Sequence, residues 1–126
     1  MTARQLLAHY AAQQSRPFAT GMADLPARFL PQQASGLDIR VNVSTTGPEP
    51  GNWLIAIRES ACDVLVGSVP EPTVRLYTDS VIGHWILSGR LSLDEAVLGG
   101  LLHFDGDPAH LETLRRCFQF GQAHDN

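Results

Sequence analysis

Every second residue from Leu37 to Val43 is apolar: Leu37, Ile39, Val41 and Val43 alternate with Asp38, Arg40 and Asn42. A period of two belongs to a strand with one buried face, and it excludes a helix over the same stretch. Three more strand-like segments follow, "WLIAIRE", "CDVLVGSV" and "TVRLYT". The loop "TTGPEPGN" separates the first two, and only a short turn near Glu59–Ala61 separates the next pair. Connections this short cannot hold a helical crossover, so these strands are expected to be antiparallel neighbours.

Beyond Tyr77 the period lengthens. Asp79 is placed to cap "SVIGHWILSG", with Ile82, Trp85 and Ile86 on one stripe and Gly89 at the end. Ser92 followed by Glu95 forms a capping box for "LDEAVLG", with Leu93, Ala96 and Val97 inward. "LLHFD" is a fifth strand, with Leu102 and Phe104 on one face. Asp107 caps the last helix and Pro108 occupies its first position, ahead of a stripe of Leu111, Leu114 and Phe118. The order predicts an α+β fold, a five-stranded mainly antiparallel sheet with helices packed on one face.

Upstream, residues 1–14 are expected to form an amphipathic helix through Leu6, Leu7, Tyr10 and Ala11, rather than a signal peptide. Residues 15–36 carry Pro17, Pro26, Pro31, Gly21 and Gly36, which predicts turns and one short helix at "DLPARFL". Their apolar side chains, among them Phe18, Met22 and Phe29, are too many for a free linker. The 126 residues fit a single domain, with 1–36 as a lead-in packed upon it.

Several function classes are disfavoured. The net charge of −4 argues against a nucleic-acid partner, because phosphate binding needs a basic surface. All nine basic residues are Arg, so no internal lysine is present to act as a nucleophile or to bind phosphate in a P-loop. No apolar run is long enough for stable membrane insertion. Cys62 and Cys117 stand far apart and read as reduced thiols of a cytoplasmic protein. The histidines fall in no metalloprotease motif, and the serines in no nucleophile elbow. His103, Asp105 and Asp107 offer too few oxygens for a calcium loop, so no metal site is expected there. No cofactor motif is present, and the chain is not expected to be an enzyme.

The C-terminal half is rich in apolar residues. Ile82, Trp85, Ile86, Leu98, Leu102, Phe104, Leu114 and Phe118 either form a solid core or line a cavity for an apolar ligand. Periodicity does not separate the two.

Three strings carry a family resemblance: "NWLIAIRESACDVLVGSVPEPTVRLYTD", "ILSGRLSLDEAVLGGLLHFDGD" and "LETLRRCF", with the lead-in "LPARFLPQQASGLDIRVNV". Together they resemble the sterol carrier protein 2 superfamily of lipid-binding domains over most of the chain. The resemblance implies a hydrophobic cavity between the sheet and the helices, lined by the eight residues just named. It implies non-catalytic binding of a sterol, fatty acyl chain, acyl-CoA or other apolar small molecule, as a carrier or lipid-presenting domain. The alternative it implies is an accessory or dimerisation module, acting as a homodimer or on a partner enzyme, or holding an isoprenoid-quinone intermediate.

Overall fold

The computed structural model describes residues 2–5 and 16–120, so most of the helix expected at the N-terminus lies outside the described residues. The first described helix of any length is α1 (Pro17–Asp24), followed by 3-10 turns at Leu25–Arg28 and Pro31–Gln33. The sequence predicts only turns before Asp24, and the difference has a physical cause. Pro17 occupies the first turn, where its missing N–H costs nothing. The free N–H groups of Phe18 and Ala19 donate to the two carboxylate oxygens of Glu49, at 2.9 and 3.0 Å. This capping group lies 31 residues away in the chain, outside any local window.

The strands are β1 (Asp38–Thr46), β2 (Gly51–Arg58), β3 (Ala61–Val66), β4 (Val74–Asp79) and β5 (Leu102–Asp105). Between β4 and β5 lie α2 (Ser80–Leu87) and α3 (Leu93–Leu98), and α4 (Pro108–Cys117) follows β5. The strands make one mixed sheet in the order β3-β2-β1-β4-β5. β1, β2 and β3 form the expected antiparallel meander, with Val43 opposite Trp53 and Ile57 opposite Cys62. Glu59 and Ser60, both at positive φ (52° and 57°), make the two-residue turn between β2 and β3. That backbone matches the right-handed twist of a hairpin.

β4 instead pairs in parallel with β1, with Val41 opposite Val74 and Thr46 opposite Asp79, and β5 pairs antiparallel with β4. Between β3 and β4 the chain must return past two strands using only residues 67–73. The Asn42 side chain holds this crossover on the outer face of the sheet. Its Nδ2 donates to the Val69 carbonyl at 2.7 Å, and its Oδ1 accepts from the Val69 N–H at 3.0 Å. Asn42 sits among the polar residues of its alternating strand, yet it is 8% exposed because the crossover lies over it.

The other sheet face is the core. Ile39, Val41, Val43, Ile55, Ile57, Val74, Leu76 and Leu102 are all buried there, beneath helices that contribute Phe18, Met22, Ile86, Leu87, Ala96 and Leu114.

The capping box is present: the Glu95 N–H donates to the Ser92 hydroxyl at 3.0 Å, and the Ser92 N–H donates to Glu95 Oε1 at 3.1 Å. These hydrogen bonds, the backbone one first, hold the Glu95 carboxyl below its ordinary value. Ser92→Ala is expected to lower stability by about 1 kcal/mol through loss of the helix cap. Chemical denaturation would report it, and an unchanged midpoint would count against the role of the cap.

Candidate functional site

Between sheet and helices lies a small, partly open cavity of about 70 Å³. Val43, Ile55, Leu76 and Leu102 make its floor, one from each of β1, β2, β4 and β5. Phe18 and Met22 of α1 and Gly83 and Ile86 of α2 roof it, and Leu114, Phe118 and Phe120 close one side. Thr78 is the single hydroxyl on the wall, and it is already engaged, donating to the Leu101 carbonyl at 2.8 Å. A wall of this kind gives water no partners, so the space is a dry hydrophobic one.

The cavity is small for a ligand site. A ligand pocket usually measures hundreds of cubic ångströms, from about 300 Å³ upward. The cavity here holds about as much volume as two water molecules, each with a share of roughly 30 Å³. Aromatic side chains fill the remainder: Phe18 meets Trp53 edge-to-face at 5.0 Å between ring centroids, and Phe118 packs between Phe29 and Phe120 at 5.6 and 5.8 Å.

The eight residues expected to line a cavity divide. Ile86, Leu102, Leu114 and Phe118 are on its wall. Ile82 and Phe104 are half-buried against the core without reaching the cavity. Trp85 and Leu98 face outward, at 39% and 87% exposure. For α2 the reason is a rotation of the helix. Its buried residues are Ser80, Gly83, Ile86 and Leu87, not the more apolar stripe through Ile82 and Trp85. Ser80 is drawn inward because its hydroxyl accepts from the Glu49 N–H at 3.0 Å. Gly83 is drawn inward because Phe18 fills the place of a side chain: a Cβ there would stand 2.5 Å from the Phe18 ring. Gly21 of α1 is the reciprocal point, where a Cβ would stand 2.8 Å from a Leu87 methyl. A glycine inside each helix is the signal that marks this close crossing. Hydrophobic periodicity passes over it because glycine has no hydropathy to contribute.

Sequence reasoning also left Met22, Val43 and Ile55 off the cavity wall. They belong to segments read as lead-in and meander core, and only the fold brings them beside Ile86 and Leu114.

The polar groups lie elsewhere. A larger groove of about 700 Å³ runs outside the contact of α1 with α2, beside Asp24, Arg28 and His84. Arg28 is committed to structure there, donating to the Leu87 carbonyl at 2.6 Å and pairing with Asp24 at 3.3 Å. Asp107 caps α4 by accepting from the Ala109 N–H at 2.9 Å. His103 and Asp105 lie on the outer sheet face, with the His103 ring against Tyr77. Among the described residues, no three His, Cys, Asp or Glu side chains converge as metal ligands would. Both cysteines are free. Burial, then the charges of Asp63 and Cys117, push the Cys62 thiol up to about 12. Burial also raises Cys117, against the opposing charge of Arg116. Neither thiol is therefore disposed to act as a thiolate nucleophile. Among the described residues, no helix is long and apolar enough to cross a membrane.

No family model and no curated protein matches the sequence. Solved structures do match its fold. A stereoselective inverting sec-alkylsulfatase from Pseudomonas sp. aligns with 76% of this chain at 23% identity and a TM-score of 0.65, and the chain spans only 15% of the sulfatase's length. The UbiJ-SCP2 ubiquinone synthesis protein aligns over 91% of this chain and 90% of its own, at 18% identity and TM-score 0.55. A crystal structure of sterol carrier protein 2 aligns over 82% of this chain and 97% of its own, at 15% identity and TM-score 0.56. The chain thus has a sterol carrier protein 2-like fold, and at these identities the likeness speaks to fold alone.

Proposed function

We propose that this chain is a non-catalytic binding domain that takes an apolar ligand of lipid type between its sheet and its helices. The observation that carries the reading is the interior cavity, whose wall offers an apolar chain only hydrocarbon and leaves no polar group unpaired. Burying a chain there is favourable by about 0.8 kcal/mol per methylene, less the ordering cost. At about 70 Å³ the cavity admits only a fragment, so binding a longer chain requires the space between sheet and helices to widen. A catalytic role finds no support in the protonated thiols and scattered polar groups.

The likeness to the UbiJ-SCP2 ubiquinone synthesis protein over nearly the full length of both chains favours a second reading. In it the domain serves as an accessory module, acting on a partner enzyme or holding an isoprenoid-quinone intermediate.

Native mass spectrometry of purified protein, followed by organic extraction, separates the two readings. Fluorescence gives a second readout. Trp53 touches Phe18 on the cavity roof, whereas Trp85 faces solvent. Trp85→Phe protein is expected to change its remaining Trp53 emission when dodecanoate or oleate is added. If no lipid is recovered and Trp53 does not respond at micromolar ligand, the lipid reading falls and the accessory reading leads.

A further inference from the structure

Strand β3 has the composition of a central strand but lies at an edge of the sheet. On β3, Leu65 points to the outer face and is 55% exposed, while Val66 points to the helix side and is 87% exposed. The run "VLV" is thus apolar on both faces, as in strands flanked on both sides. None of the usual protections is present in Ala61–Val66, which has no proline, no lysine and a single charge, Asp63. The opposite edge, β5, is only four residues long and carries His103 and Asp105. Among the described residues, no strand pairs with the free side of β3.

The phase of the hydrogen bonds says which backbone groups are free. The Gly67 N–H donates to the Asn52 carbonyl at 2.9 Å, and Val66 stands opposite Trp53. In an antiparallel ladder, bonded and non-bonded pairs alternate. Leu65, Asp63 and Ala61 therefore spend their backbone groups on β2, and Cys62, Val64 and Val66 turn theirs outward.

We propose that this edge is the seam of a homodimer, in which β3 of a second copy pairs antiparallel with β3 about a two-fold axis at Val64. Only that register uses all the free groups. Val64 pairs with its own symmetry mate and Cys62 with Val66 of the other copy, which makes about six hydrogen bonds in the alternating pattern. A centre at Asp63 would leave Val66 without a partner on the strand and set two carboxylates against each other, and a centre at Leu65 would leave Cys62 without one, so either register makes about four hydrogen bonds instead of six. A centre at Cys62 or Val66 would run the pairing off the strand. With the axis at Val64, Asp63 stands opposite Leu65 of the other copy, and the two carboxylates are kept apart. Val66 is covered on the helix side and Leu65 on the outer side. Both helix layers stay on one face, and two five-stranded sheets become one of ten.

Light scattering during size exclusion tests this on the full chain, with circular dichroism to verify folding. The wild type is expected at twice its 13.7 kDa mass at micromolar concentration. Val64→Pro deletes an outward N–H that β2 does not use, and it is expected to give a folded protein of monomer mass. Leu65→Asp sets a carboxylate against Asp63 of the other copy and is also expected to give the monomer. Adding Asp63→Lys to Leu65→Asp restores opposite charges across the seam and is expected to bring back the doubled mass. A monomeric wild type, a dimer that survives Val64→Pro, or a charge swap that fails to restore the dimer would each overturn the proposal.

Discussion

Phe18→Ala is expected to cost about 4 kcal/mol of unfolding free energy, the range found when a buried phenylalanine is truncated to alanine. Phe18 is 2% exposed and joins three parts of the core. Its ring occupies the notch left by Gly83, stands edge-on to Trp53 at 5.0 Å, and roofs the cavity. Alanine abandons all three contacts, and Gly83 has no side chain with which to fill the gap. A domain with a total stability of roughly 5–15 kcal/mol loses a large share at one position. Urea denaturation measures the loss. The enlarged cavity should also take up small apolar probes such as benzene more tightly than the wild type does. A loss below about 1.5 kcal/mol, with no gain in probe binding, would mean that α1 does not hold the roof in place.

Asn42→Ala is expected to cost about 3 kcal/mol, because it strands two backbone groups at once. The Asn42 amide satisfies both the N–H and the carbonyl of Val69 under the crossover. A buried polar group left without its partner costs about 1–3 kcal/mol. Asn42→Asp separates the two contributions: it keeps an acceptor for the Val69 N–H but turns a carboxylate oxygen toward the Val69 carbonyl. It should therefore be no better than alanine near neutral pH, and it should recover stability in acid as the carboxyl gains a proton. Thermal melts of both variants across that pH range report the effect. An alanine variant as stable as the wild type would show that water replaces the amide without cost.

What was legible follows from chain-local physics. A period of two marked β1 and β5, short apolar runs between turns marked the other strands, and a period of 3.6 with Asp79, Ser92 and Asp107 marked the starts of α2, α3 and α4. Each of those caps is made within three residues of the group it serves. The short connections of the first three strands left little choice but a meander. The alternation in β5 correctly placed Leu102 and Phe104 on one face, which is the helix side.

The candidate site was less legible because partners distant in the chain decided it. α1 forms where prolines and glycines predicted turns, since Glu49 supplies its cap from the β1–β2 loop. α2 turns Trp85 outward and keeps Ile82 off the cavity wall, since Ser80 and Gly83 have partners in Glu49 and Phe18, and a helix can present only one side to the sheet.

By itself the sequence determined the five strands and the three helices after β4, which faces of β1 and β5 are apolar, and that helices would share one side of a mainly antiparallel sheet. Those properties depend on the alternation of side chains along a strand, their recurrence around a helix, and hydrogen bonds that close within a turn. Only the tertiary structure decided that β4 runs parallel to β1, that α2 packs through a glycine, and that the space between the layers is almost closed. Each of these depends on a contact between distant residues: Asn42 with Val69, Phe18 with Gly83, Phe118 with Phe29. Neither partner's local pattern contains such a contact, because it forms only after the rest of the chain has brought the two together.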